Sequence, residues 1–147
     1  MRIIVRNILA VLAGIAVGSG VNMGLIVLGP SLIPPPAGVD VTNAESFKAA
    51  MHLFQPRHFV VPFAAHALGT LVGSATGCLL SATQGKAIAY GIGAVFMLGG
   101  IAASLMIPAP LWFVILDLAV AYIPMAWIGL RLGNRLRSAL ANAQPTR

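Results

Sequence analysis

The stretch HFVVPFAAHALGTLVGSATGCLLSA, His58–Ala82, decides how this chain is read. It holds no Asp, Glu, Lys or Arg. At about 1.5 Å per residue, a helix of that length crosses a hydrocarbon core about 30 Å thick. Within it Ala65, Gly69, Gly73 and Gly77 recur at every fourth position. One face therefore lacks side-chain bulk, and another helix backbone can approach along nearly its whole length. Beside that face stands His66, with Thr70 and Ser74 one and two turns further on. An imidazole in lipid is costly unless it finds a partner. A single segment thus names an environment, a packing face and a candidate site.

Three further stretches of the same kind, Asn7–Gly29, Ala87–Ile107 and Pro110–Leu132, complete a set of four predicted spans in one domain. The fold class they imply is all-α, an integral membrane four-helix bundle. Composition agrees: hydrophobic residues make up 59% of the 147 and charged residues only 8%, against about 25% in a soluble domain. The net charge of +6 is unevenly placed. Arg2 and Arg6 precede the first span, Lys86 lies between the second and third, and Arg131, Arg135, Arg137 and Arg147 follow the fourth. In the connection after the first span, Asp40, Glu45, Lys48 and Arg57 balance. This asymmetry predicts a membrane protein with both termini and the Gln84–Lys86 turn cytoplasmic, and with Pro30–Arg57 outside. The expected partner of the basic tail is anionic lipid, at about 1 kcal/mol per residue near the surface. Nucleic acid is excluded, because no basic face is interleaved with stacking aromatics. Arg2, Arg6 and Ile8–Val17 look like the start of a signal peptide, but the apolar run continues past Asn22 to Leu28, too long for one, so the segment reads as an uncleaved span. The lone Cys78 falls inside the second span and excludes an intrachain disulfide.

Between the spans, proline and capping residues punctuate the chain. Pro30 is expected to close the first helix, and Pro34-Pro35-Pro36 to impose a stiff extended segment after it. Thr42-Asn43-Ala44-Glu45 reads as a capping box opening a helix over about 43–54. Phe47, Met51 and Phe54 fall on one face of that helix, which is expected to lie on the outer membrane surface through them. Pro108-Ala109-Pro110 forces the third and fourth spans into an antiparallel hairpin, and Pro124 predicts a kink by leaving the Val120 carbonyl without its donor. Gly14 with Gly18, and Gly20 with Gly24, repeat the small-residue spacing in the first span. Their partner could be another span, a second copy or a larger complex.

The polar residues within the spans are the better clue to function. Asn22 lies seven residues before Gly29, Asp117 seven after Pro110 and His66 eight after His58. All three therefore sit roughly 10–12 Å below the outer surface. At that depth the third span offers Gly99-Gly100, which gives room instead of a side chain. The expected polar pocket comprises Asn22, His66 and Asp117, with Thr70, Gly99 and Gly100; Tyr90 and Ser104 add polar groups on the third span. Such a group either holds helices together, at about 0.6 kcal/mol per hydrogen bond, or serves as a proton relay or cation site. His52, His58 and Met51 form a weaker candidate for copper. Haem on His66 lacks a second imidazole within the membrane. No Cys-x-x-Cys, His-Glu-x-x-His, Gly-x-Ser-x-Gly or Walker-type loop occurs. Neither cofactor nor catalysis is expected, and only Asp117 and His66 could serve as acid and base.

The layout, together with Leu32-Ile33-Pro34-Pro35-Pro36, Met51-His52-Leu53-Phe54 and Ala65-His66-Ala67-Leu68-Gly69-Thr70, resembles the small four-span proteins of bacterial inner membranes to which no activity is assigned. The resemblance spans nearly the whole chain and implies location without chemistry. Four-span multidrug exporters are a weaker likeness: their pattern has a Glu in the first span, and this span has no acidic residue. Three functions remain open. They are an accessory or structural membrane protein, a small proton-coupled transporter or channel subunit using Asp117 and His66, and an outer pocket for a lipid, quinone, metal or haem.

Overall fold

Where no water is available, backbone N–H and C=O groups must pair within the chain, so long apolar stretches become helices. The computed structural model describes residues 1–143. Arg147, part of the basic tail, lies outside them. The helices are α1 (Arg2–Leu32), α2 (Ala44–Ala49), α3 (Val60–Leu80), α4 (Gly85–Met106), α5 (Leu111–Val120) and α6 (Ile123–Asn142), and no strand occurs among the described residues. Four units, Arg2–Leu32, Pro56–Leu80, Gly85–Met106 and Leu111–Asn142, are long and apolar enough to cross a membrane. The chain is a multi-pass helical bundle.

Two expectations about proline are revised. Pro30 does not close α1 but lies inside its last turn, which ends where the Ile33 N–H reaches the Gly29 carbonyl at 2.8 Å. A proline this near a helix end forfeits one hydrogen bond while its fixed φ still suits the helix. Around Pro124 the expected kink is a full break. α5 ends at Val120, Tyr122 leaves helical geometry at φ −116°, ψ −80°, and Pro124 enters α6 in its first turn, where a missing N–H costs nothing.

Helix α3 is the centre of the bundle, packed by α1, α4 and α6. Its glycine stripe faces α1 of the same chain. A Cβ on Gly73 would stand 2.7 Å from the Gly14 carbonyl oxygen, and one on Gly69 would stand 2.9 Å from that of Gly18. On the α6 side, a Cβ on Gly129 would meet the Leu71 carbonyl at 2.5 Å and one on Gly133 the Ala75 carbonyl at 2.8 Å. Three backbones thus touch directly, a packing that gains dispersion without immobilising long side chains. Gly20 and Gly24 have nothing within 4 Å.

The end carrying most of the basic residues is tied by hydrogen bonds to the α3 terminus. Arg137 donates to the carbonyls of Cys78, Leu79 and Ser81 and to the Ser81 hydroxyl, the last at 2.7 Å. Arg6 Nε donates to the Leu80 carbonyl at 3.0 Å. Asn7 accepts from the amides of Ala82 and Thr83 at 2.9 and 3.2 Å. Cations at a helix C-terminus meet its partial negative charge and its unpaired carbonyls. Arg137 of the basic tail therefore also caps the α3 terminus, through its Nη2. Arg131 lies over the Trp127 ring, 3.7 Å from its centroid.

At the opposite end the connection folds differently from expectation. Its helix is one short piece, α2, followed by a 3₁₀ turn at Met51–Leu53. The cap is Asn43, whose side chain accepts from the Ser46 amide at 3.0 Å. Thr42 instead donates its amide and hydroxyl to Asp40 Oδ1 at 2.8 and 2.6 Å, which holds the Asp40 carboxyl below its ordinary pKa. Asx geometry outcompetes the capping box because Asp40 occupies the Thr42 hydroxyl. Phe47, Met51 and Phe54 turn inward and line a cavity between this connection and the spans.

Candidate functional site

The site forms where α3 and α5 face each other near that cavity. His66 Nδ1 lies 2.9 Å from both carboxylate oxygens of Asp117, and Asp117 is 4% exposed. A buried carboxylate is tolerated when donors surround it. Its second donor is Tyr122, whose hydroxyl reaches Oδ2 at 2.8 Å. In a continuous helix, residues five apart point about 140° from each other. The break after Val120 is what turns Tyr122 back toward Asp117. The Tyr122 ring also stacks on His66, with centroids 5.9 Å apart and planes at 29°. It occupies the space where a Cβ on Gly100 would be, so that glycine makes room for it.

Of the residues expected in the pocket, His66 and Asp117 meet directly and Gly100 lies beside them. Thr70 is buried one turn below and donates to the His66 carbonyl at 2.8 Å. Asn22 stays apart: it packs against Gly69, does not line the cavity and makes no hydrogen bond to His66 or Asp117. Gly99 faces away, with nothing within 4 Å of a built Cβ. Ser104 lines the cavity but donates to the Ile101 carbonyl at 2.7 Å. Tyr122, the third member of the cluster, was not anticipated.

The cavity holds about 450 Å³, within the range of small-molecule sites. Its walls are apolar: Val61, Val114 and Leu118 from the spans, with Phe47, Met51 and Phe54 as the roof. A run of ring contacts links roof to wall. Phe47 meets Phe54 edge-on at 5.2 Å, Phe54 meets Phe59 at 6.3 Å, and Phe59 meets Phe113 at 4.8 Å. Polar groups converge at one place, His66 with Asp117, while His58 stands nearer the rim and also borders a second, shallower depression beside Pro34–Pro36.

Hydrogen bonding assigns the imidazole tautomers. Facing two carboxylate oxygens, His66 Nδ1 carries a proton, which leaves Nε2 as the nitrogen without a protein partner. His58 is the reverse: its Nδ1 accepts the Gln55 amide at 2.8 Å, so its proton is on Nε2. His52 is exposed and its Nδ1 lies 3.0 Å from the Ala49 carbonyl. The weak copper candidate does not assemble, since His52 stays outside the cavity that Met51 and His58 line. No group of three His, Cys, Asp or Glu placed to hold a metal ion occurs among the described residues. What the arrangement can do is orient one imidazole rigidly and present its Nε2 to a molecule in the cavity, as a hydrogen-bond acceptor or a base. Comparison of the chain with protein-family models, with curated proteins and with solved structures yields no match.

Proposed function

We propose that this is a bacterial inner-membrane protein, both termini cytoplasmic, whose outer cavity binds a small and largely apolar molecule beside His66. The observation that carries the reading is the His66–Asp117 pair, braced by Tyr122, on the wall of a cavity lined mostly by apolar side chains. Specific sites for small molecules have this composition: apolar walls for affinity and a few fixed polar groups for orientation.

Binding is favoured over passage through the bundle. Below the cluster the Thr70 hydroxyl is spent on the His66 carbonyl and the Ser74 hydroxyl on that of Ala89, at 2.8 and 3.0 Å. Both side chains are fully buried, and beyond them the glycine faces press backbone on backbone. A coupled transporter needs a continuing polar route toward the basic end, and these residues supply none. The accessory role is a second reading, favoured by Gly20 and Gly24, a small-residue face on α1 with nothing packed on it.

Orientation rests on the basic end holding Arg2, Arg6, Lys86 and the α6 arginines. Cysteine introduced at Ala44 should react with an impermeant thiol reagent in intact cells, and cysteine at Asn142 should not; equal labelling of both overturns the topology. For the cavity, solvent extracts of the purified protein and of Ala103→Trp, which fills a lining position, should differ by one bound compound in mass spectrometry. Identical extracts from a folded variant argue against a resident ligand.

A further inference from the structure

The two histidines of the cavity offer opposite hydrogen-bonding characters. In its neutral form His66 presents a lone pair at Nε2, because its Nδ1 proton is committed to Asp117. His58 presents Nε2–H, because its Nδ1 lone pair is committed to the Gln55 amide. They stand eight residues apart in sequence, which along a mostly helical path is roughly 12 Å. The other polar groups lining the cavity near its deep end are already satisfied. Asp117 accepts from both His66 and Tyr122, and the Ser104 hydroxyl is bound to Ile101. The deep acceptor therefore has no competitor within the protein.

A ligand that satisfies this pattern donates one hydrogen bond at its buried end. A carboxylate at the deep end is disfavoured: it has no proton to give His66 Nε2 and would lie beside Asp117, while the one lysine lining the cavity, Lys48, belongs to the connection. A cation is disfavoured as well, since the carboxylate that would attract it is already enclosed by two donors. A neutral hydroxyl fits both constraints. Of neutral hydroxyls, a phenolic one is the stronger donor yet still keeps its proton near pH 7, with a pKa of about 10. Its ring also matches the walls, where Phe54, Phe59 and Phe113 offer edges and faces.

We infer that the cavity takes a membrane-soluble phenol or hydroquinone, with the ring hydroxyl donating to His66 Nε2 and Asp117 and Tyr122 holding that imidazole in place. His58 Nε2–H supplies the donor for a second oxygen nearer the rim. This rests on the reading of the cavity as a ligand site, and the test separates the two. Calorimetric titration of the purified full-length protein uses three probes with the same short alkyl tail: a hydroquinone, its dimethyl ether and the corresponding quinone. The hydroquinone should bind about 10- to 100-fold more tightly than the ether, the range expected for one buried hydrogen bond. His66→Phe should bring its affinity down to that of the ether and leave the ether itself unchanged. Equal affinity for hydroquinone and ether, or tighter binding of the quinone than of the hydroquinone, overturns the inference while the cavity stands as a ligand site. If none of the three binds the native protein, this inference falls, and the comparison of extracts with Ala103→Trp decides the wider reading. Should His66→Phe not fold, the ratio measured on the native protein decides alone.

Discussion

Helix α3 passes through two kinds of packing. From Gly69 to Gly77 it meets α1 and α6 mainly through backbone atoms, with only Cβ-sized contacts from Asn22, Ser74 and Cys78 among them. From its N-cap, Phe59, to His66 it meets its neighbours through rings and an imidazole, and a cavity of about 450 Å³ lies beside it. Glycine contacts fix the distance between helix axes and leave nothing to adjust. Rings hold the axes apart and cannot fill every gap they open. The close-packed half therefore sets the positions of the helices, and the open half uses that fixed frame to keep His66 and Asp117 in register.

The contrast breaks most readily at Gly73. A leucine there would press on the Gly14 carbonyl and the Phe96 ring, and Gly73→Leu should destabilise the fold by about 3 kcal/mol or more. Gly20→Leu, with open space around it, should change stability by less than about 0.5 kcal/mol. Equal losses for the two in reversible unfolding would remove the distinction between the halves. Next in size is Arg137→Ala, which takes several charge-assisted bonds from the α3 terminus and should cost about 1.5–3 kcal/mol. The neighbouring exposed Arg135→Ala serves as the control and should be near neutral. Apart from the two controls, the smallest effect belongs to the open half. Tyr122→Phe deletes one donor to Asp117 and should cost about 0.6 kcal/mol, up to about 1.7. A loss as large as that of Gly73→Leu would show the cluster to be a structural joint, and the comparison would need redrawing.

Hydropathy and charge made the four spans legible, because chain length and insertion cost act on each segment alone. The His66–Asp117 contact was legible for a related reason: two costly groups at equal depth can satisfy one another. Depth does not fix rotation about the helix axis, and this is why Asn22 was misplaced. Gly14, Gly18 and Asn22 recur every fourth residue, so Asn22 continues the stripe that faces Gly69. Tyr122 escaped because its spacing from Asp117 puts it on another face of any straight helix; Pro124 was the signal that the helix would not be straight. The inward turn of Phe47, Met51 and Phe54 was beyond local reasoning, since an apolar face does not say whether lipid or protein will cover it. Arg137 read as one more tail charge because its acceptors are carbonyls, which every residue carries.

That arginine gives the fold an order in time. The carbonyls it binds at Ser81 belong to a turn that leaves the ribosome 56 residues before Arg137 itself does. Arg6 and Asn7 are already present when the turn emerges, so the first span can dock on it at once. Until α6 arrives, the far side of the α3 terminus has only water for its carbonyls. The last helix to be synthesised is thus a latch, and a chain stalled before it would hold three inserted spans around an unfastened turn.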